Sequence, residues 1–399
     1  MRYLSIDFGT SYCSAAYISE EGVPKSVPFG MNQYSSPCYK TPTVIQYAIK
    51  EDGTETKIVG EMAWKNLMQS NKTDSSIVSK IKTELRERNG YVINGKPKKS
   101  VEIVRDIFEY IKQISEGVVG STFDAVIITH PAQYESTKLD ILREAAYLCG
   151  FKEVQFIEEP VAAAYAFVEK HKLPIDSGGI VFDYGGGTID VAYLQLEQNG
   201  IKFKFPPKGM SGCGGEYIDL LLHNYVSSKV GCQNRNSVSP VLLDNCCQMK
   251  LNFSVYDKEQ CIGFGNKALT FSKNTFNSII EEKVNCAIKC LNGVVETCKI
   301  KELPINYVFM NGGSSKLSSV RDRIRGLLKN VDVLDYGGDD LAVSLGALIY
   351  LKRNLFDSGQ IGTNDQNVIQ EKVKREDSPI LKKLKEQRRQ YLELKKNNI

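Results

Sequence analysis

Only three histidines stand among the 399 residues, and that scarcity speaks against a zinc site at the outset. Eleven cysteines are present, but Cys246 and Cys247 are adjacent, and Cys286 and Cys290 stand four apart with no second Cys or His pair nearby. No zinc spacing results. In a reducing compartment these cysteines read as small buried apolar residues plus a few free thiols. No apolar run approaches the roughly 20 residues of a membrane span, and the N-terminus enters a strand with no signal peptide, so a cytoplasmic protein is expected. An excess of one charge sign is also missing. The 51 basic and 47 acidic residues leave a net charge of +4, too balanced to imply nucleic acid or a membrane surface as the main partner, and neither is expected.

What the sequence does have is a glycine-tipped hairpin, Ile180 to Tyr193, reading IVFDYGGGTIDVAY. An apolar strand ends at Asp183, three glycines and Thr188 form the tip, and Ile189 starts a second alternating strand. Glycines let peptide N–H groups approach an anion and allow the positive φ that N–H nests need. Asp183 cannot attract a phosphate, but it can hold the hydrated Mg²⁺ that bridges the phosphates of ATP. Taken alone, the stretch is equally an ordinary Gly-rich hairpin turn.

Leu4 to Tyr17, LSIDFGTSYCSAAY, repeats the plan: Asp7 matches Asp183, Gly9 matches Gly185, and Ala16-Tyr17 matches Ala192-Tyr193. Two half-domains facing each other across a nucleotide would use both tips. Between them the pattern alternates helix and strand. Val101 to Val118 and Glu135 to Cys149 have helical apolar spacing, Ala125 to Thr129 and Val154 to Ile157 read as strands, and Pro160 suits the first turn of a helix Val161 to Lys170. Glu159, at that strand–helix junction, could polarise a water, or simply complement the helix dipole. Lys65, on a helix after Ile58, is a possible phosphate-side cation, although an exposed helix lysine is the commoner fate.

Further on, Gly212 to Asp219 is a Gly-rich turn into a helix, Asn245 to Ser254 is helical, and Asn306 to Met310 is a buried strand. Gly312-Gly313-Ser314 then precedes a helix Lys316 to Leu328, a turn against which a base or ribose could lie. The run Gly263 to Ala268 superficially fits a dinucleotide fingerprint but lies in a short β-hairpin, so it is rejected. A helix Asp340 to Leu351 closes the globular part. Residues 371–399 hold 10 basic and 5 acidic residues, giving a charged helix or disordered tail from 354 onward.

Taken together, the motifs IDFGTSY, ITHPAQY, IEEPVAAAYAF, VFDYGGGTIDV, GGEYID, MNGGSSKL and DDLAVSLGA resemble, in order, the nucleotide-binding domain of the heat shock protein 70 (DnaK-like) chaperones of the actin superfamily. The resemblance covers Met1 to about Arg353. It implies an α/β, two-lobed actin-like ATPase fold with duplicated ribonuclease-H-like sheets and inserted subdomains, lobe I at 1–175 and lobe II at 176–353. It implies a Mg²⁺-dependent ATPase in which Gly9, Thr10, Ser11, Tyr12, Gly185, Gly186, Gly187 and Thr188 hold the phosphates. Asp7 and Asp183 would position Mg²⁺, and Asp190 would join them around a monovalent cation such as K⁺. Lys65 and Glu159 look like the residues that orient the attacking water, with Asp183 and Thr188 completing the catalytic set. Gly215, Glu216, Lys250, Ser254, Gly312, Gly313, Ser314 and Asp340 would surround ribose and adenine. Where the family has an arginine against adenine this chain has Leu251, and Cys247 stands in place of a glutamate. Lys65 sits one residue further from Gly60 than the family spacing. The peptide-binding β-domain is not expected after Arg353, which implies a nucleotide-driven clamp served by a separate protein client or co-chaperone. The alternative is an actin-like ATP-dependent filament; a small-molecule kinase would need an acceptor-binding base, and no residue stands out as one.

Overall fold

The computed structural model describes residues 2–356, apart from 33–34, 70–75, 86–89, 199, 231–237, 257, 265–266 and 338–340. Two six-stranded sheets of one plan organise it. In the first, the strands Tyr3–Phe8 and Tyr12–Ile18 form the antiparallel hairpin, and Ala125–His130 and then Glu153–Glu158 add in parallel on the other side of Tyr3–Phe8. In the second, Gly178–Tyr184 and Thr188–Glu197 form the hairpin, and Tyr307–Asn311 and then Asp332–Asp335 add in parallel. Gly178–Tyr184 is buried at every position, as an apolar run without alternation requires of a central strand covered on both faces. The duplicated α/β, two-lobed actin-like architecture is therefore present in the backbone.

Each sheet carries an insertion. The first lobe adds a three-stranded sheet, Ile45–Ile49, Glu55–Val59 and Ile77–Val78, with the helices Glu61–Gln69 and Ser100–Val119. The second adds the helices Gly215–Val230 and Pro240–Val255 and the hairpin Gln260–Phe264 with Lys267–Phe271. That hairpin is the context in which the dinucleotide fingerprint was set aside. A 28-residue helix, Lys273–Ile300, was not among the expected elements. The expected helix Lys316 to Leu328 is shorter, a 3-10 turn Gly313–Lys316 followed by Ser318–Leu327. The charged tail lies outside the described residues, and among those described no helix is long and apolar enough to cross a membrane.

Two of the three apolar cores fill the two lobes. The third joins them: Ala16 and Ile127 of the first sheet and Val181, Ala192 and Phe309 of the second enclose the helices Glu159–His171 and Ala342–Leu351. The Ala342–Leu351 helix follows the second sheet in the chain but lies against the first, where Ser14 Oγ donates to Ser344 Oγ at 3.0 Å. Small residues let these two helices come close. A Cβ built on Gly346 would stand 1.8 Å from the Ala162 carbonyl oxygen. Gly346→Ala should therefore force the helices apart and cost about 1–3 kcal/mol or more, as overpacked cores do. Thermal denaturation checks this: an unchanged melting temperature would mean that the helices are not packed at this spacing.

Candidate functional site

The two hairpin tips face each other across the cleft between the lobes, and backbone geometry aims their amides. In the second tip the carbonyls of Gly185 and Gly186 accept from the N–H groups of Gly215 and Glu216, each at 2.9 Å. A trans peptide sets N–H opposite to C=O, so the N–H groups of Gly186 and Gly187 point away from that helix. In the first tip Thr43 Oγ1 donates to the Gly9 carbonyl at 2.9 Å, which turns the Thr10 N–H the other way by the same rule. Side chains would not fit between the tips. A Cβ on Gly186 would stand 2.8 Å from Ser11 Oγ, and one on Gly187 would stand 2.8 Å from Thr10 Oγ1. Ser11 Oγ already reaches Glu216 Oε1 across the cleft at 3.2 Å.

Below the tips lies a cluster of carboxylates. Asp7 ends the first strand, where Thr129 Oγ1 donates to its Oδ1 at 2.9 Å and Ser14 Oγ stands 3.5 Å from its Oδ2. Asp183 and Asp190 are register partners in the second hairpin. Asp190 accepts from the Ala132 N–H and from Thr188 Oγ1, each at 3.0 Å, so the Pro131 loop of lobe I touches the second hairpin directly. Glu159 opens the helix that follows the Glu153–Glu158 strand, and Lys82 Nζ donates to its Oε1 at 2.6 Å, both side chains being nearly buried. Lys82 attracts Glu159, Asp7 and Asp190, and Lys40 also attracts Asp7, so four carboxylates face two cations.

The charge imbalance shows in the proton affinities. Burial, reinforced by the Glu159 charge, pushes Asp7 up to about 6 and Asp190 up to about 7. Burial and the charges of Glu159, Asp190 and Asp7 hold Asp183 well above the carboxylate range. Burial alone would lower Lys82, but attraction to Glu159 and Asp7 outweighs it and keeps the amine charged. The pH dependence follows. Between about 4 and 7 the folded chain binds more protons than the unfolded chain, so stability falls as pH rises through that window. Asp7 alone contributes a fall on the order of 3 kcal/mol at 1.36 kcal/mol per unit. The nucleotide-free chain should accordingly melt higher at pH 6 than at pH 8, and a flat or inverted profile from thermal melts would contradict the burial of these carboxylates.

Such a cluster fits a cation together with an anion held by the tips. Among the described residues no three Asp, Glu, His or Cys side chains converge to chelate an ion directly. Asn311 Oδ1, a buried acceptor with no partner in the protein, lies beside Asp183.

Lys65 does not join this group. It lies on the exposed side of the helix Glu61–Gln69, more than half exposed, and pairs with Glu61 at 3.6 Å. The lysine that meets Glu159 is Lys82, which the sequence reading passed over. It sits in a turn between the buried Ile81 and Leu85, where no periodic pattern marks a face. Around the second tip, Ser314 Oγ donates to the Gly185 carbonyl at 3.1 Å, and the neighbouring Gly313 is exposed. Lys250 is buried, its ammonium donating to Asp219 Oδ2 at 2.8 Å and to the Gly215 carbonyl at 3.0 Å. Its charge thus fixes the start of the Gly215–Val230 helix. Ser254 lies one turn on and donates back to the Lys250 carbonyl at 3.1 Å. Tyr12 and Leu251 expose much of their surface, and burial raises the Glu216 carboxyl. Asp340 lies outside the described residues.

The chain matches the protein-family model described as Hsp70 protein over residues 3–352. It is similar to the chaperone protein HscA of Xenorhabdus nematophila, at 29% identity over 254 residues, covering 62% of this chain and 40% of that protein. The HscA of Buchnera aphidicola subsp. Schizaphis graminum is 26% identical over 253 residues, with the same coverage of 62% and 40%. The HscA of Buchnera aphidicola subsp. Acyrthosiphon pisum is 27% identical over 373 residues, covering 87% of this chain and 58% of that protein. The match therefore spans between two fifths and three fifths of these relatives.

Proposed function

Because the chain belongs to the Hsp70 family and has its two-lobed actin-like ATPase fold, we propose that it binds ATP with Mg²⁺ and hydrolyses it slowly, using nucleotide state to close and open the lobes. The observation that carries this reading is the Lys82–Glu159 pair, set beside Asp7, Asp183 and Asp190 beneath two facing amide tips. The amides of Thr10, Gly186 and Gly187, with the hydroxyls of Thr10, Ser11 and Thr188, hold the phosphate chain. Asp7 and Asp183 hold hydrated Mg²⁺, which when bound neutralises charge on the phosphates, and Asp190 joins them around a monovalent cation. Lys82 has donors beyond the one given to Glu159, and these orient a water and the terminal phosphate. Glu159 accepts from that water. Phosphoryl transfer needs little more than such positioning and charge neutralisation. Gly215, Glu216, Gly312, Gly313 and Ser314 border the rest of the nucleotide, while Lys250 and Ser254 support that border from behind.

The motion has a physical limit. The third core welds the bases of the lobes together, so closure moves the outer parts. A ligand that touches both tips favours the closed arrangement by its difference in affinity for the two states. A protein client or co-chaperone would read that arrangement, in the cytoplasm. Phosphate release from ATP tests the reading: slow turnover that requires Mg²⁺ is expected, and no nucleotide binding at millimolar ATP would overturn it.

A further inference from the structure

The turn 81–84 of lobe I sends Lys82 inward to Glu159 and, one residue on, sets Thr83 against the second tip. A Cβ built on Gly187 would stand 3.1 Å from Thr83 Cγ2, so the Thr83 methyl lies within van der Waals reach of the Gly187 backbone across the cleft. Its hydroxyl is engaged elsewhere. Thr83 Oγ1 donates back to the Lys80 carbonyl at 3.0 Å, the same oxygen that accepts from the Glu84 N–H at 3.1 Å. Hydroxyl and methyl leave one Cβ, so that bond pins the side chain while the methyl meets Gly187. On its own lobe the turn is braced by the buried Ile81 and Leu85 and by Tyr134, whose hydroxyl donates to the Lys82 carbonyl at 3.3 Å. The turn leans on lobe II as well: burial raises the Glu216 carboxyl, and the charge of Lys80 opposes that rise.

The turn itself has no use for a methyl here. Thr83 is exposed, and serine would make the same bond to the Lys80 carbonyl. Its methyl meets the other lobe instead, one residue from Lys82. Resting on the nucleotide reading above, we propose that Thr83 is a positioning residue for hydrolysis: as the lobes close, the second tip comes to rest on its methyl, and this stop sets how Lys82 faces the water and the terminal phosphate. Lys82 lies on irregular chain, with no helix or strand ladder to hold it, so a contact one residue away decides its place. Small misplacements of a positioning group are costly in rate. Thr83 touches no reacting atom.

The test compares wild type, Thr83→Ser and Thr83→Val in the full chain by single-turnover phosphate release from ATP with Mg²⁺, affinity for a fluorescent ADP analogue, and melting temperature without nucleotide. Thr83→Ser keeps the hydroxyl and loses the methyl. Its release rate should fall about 3- to 10-fold, the worth of one methyl contact felt in the transition state, with ADP affinity and melting temperature as in wild type. Thr83→Val keeps a methyl toward Gly187 and should stay within about 2-fold of wild type. A wild-type rate in Thr83→Ser overturns the proposal. So does a rate in Thr83→Val as low as in Thr83→Ser, or a melting temperature that falls together with the rate, since either makes Thr83 a brace of its own turn. If wild type binds no ADP analogue or releases no phosphate, the nucleotide reading itself falls, and this proposal with it.

Discussion

Asp183→Asn is expected to make the nucleotide-free chain more stable and nearly inactive at once. The carboxylate is 6% exposed and faces the charges of Glu159, Asp190 and Asp7. Its hydrogen bond with Asn311 offsets only part of that repulsion. An amide of the same shape removes the desolvation and the repulsion and keeps the packing, so the melting temperature at pH 8 should rise, by roughly 1 °C for each kcal/mol gained in a chain of 399 residues. Hydrolysis should fall about 10²-fold or more, because charge is lost where it holds the hydrated cation against developing phosphate charge. The two effects have one cause, the burial of Asp183 among the like charges of Glu159, Asp190 and Asp7. A variant that hydrolyses ATP at near wild-type rate would remove Asp183 from the cation site, and one that melts lower would show that its charge is paired within the fold.

The parts of this site that lie on regular elements were legible in the sequence. Asp7, Asp183 and the glycine tips belong to hairpins whose apolar strands and punctuating glycines fix both register and location, and the internal repeat between them follows from the duplicated sheet. Glu159 was legible for a similar reason, since Pro160 fixes the helix start beside it. The Lys273–Ile300 helix also has its pattern in full, with Phe276, Ile280, Val284, Ala287, Leu291, Val294 and Cys298 buried at helical spacing. Asn311 gives no signal at all. It is one amide at the end of an apolar strand, and only the parallel register with Asp183 brings it to the site.

Lys82 is the clearest case of chemistry placed by irregular chain, and it carries the remaining prediction. Lys65 sits on a helix with an identifiable start, which makes it visible, but that helix turns it to solvent and to Glu61. Lys65→Ala should leave turnover within about 2-fold of wild type, as expected of an exposed ion pair worth roughly 0–1 kcal/mol. Lys82→Met should lower turnover about 10²-fold or more while changing nucleotide affinity far less, because the interaction is felt chiefly in the transition state. One complication is built into the geometry. Removing the ammonium leaves Glu159 nearly buried without its partner at 2.6 Å, and breaking such a pair from one side typically costs about 3–5 kcal/mol of stability. Lost activity in Lys82→Met could then reflect a damaged fold. The double variant Lys82→Met with Glu159→Gln separates the two explanations, since it removes both charges, and its melting temperature should recover most of the loss. Single-turnover phosphate release should nevertheless stay as low as in Lys82→Met, with ATP still bound. Recovery of turnover in the double variant would make the pair a structural brace, and a severe defect in Lys65→Ala alone would return the catalytic role to the helix lysine.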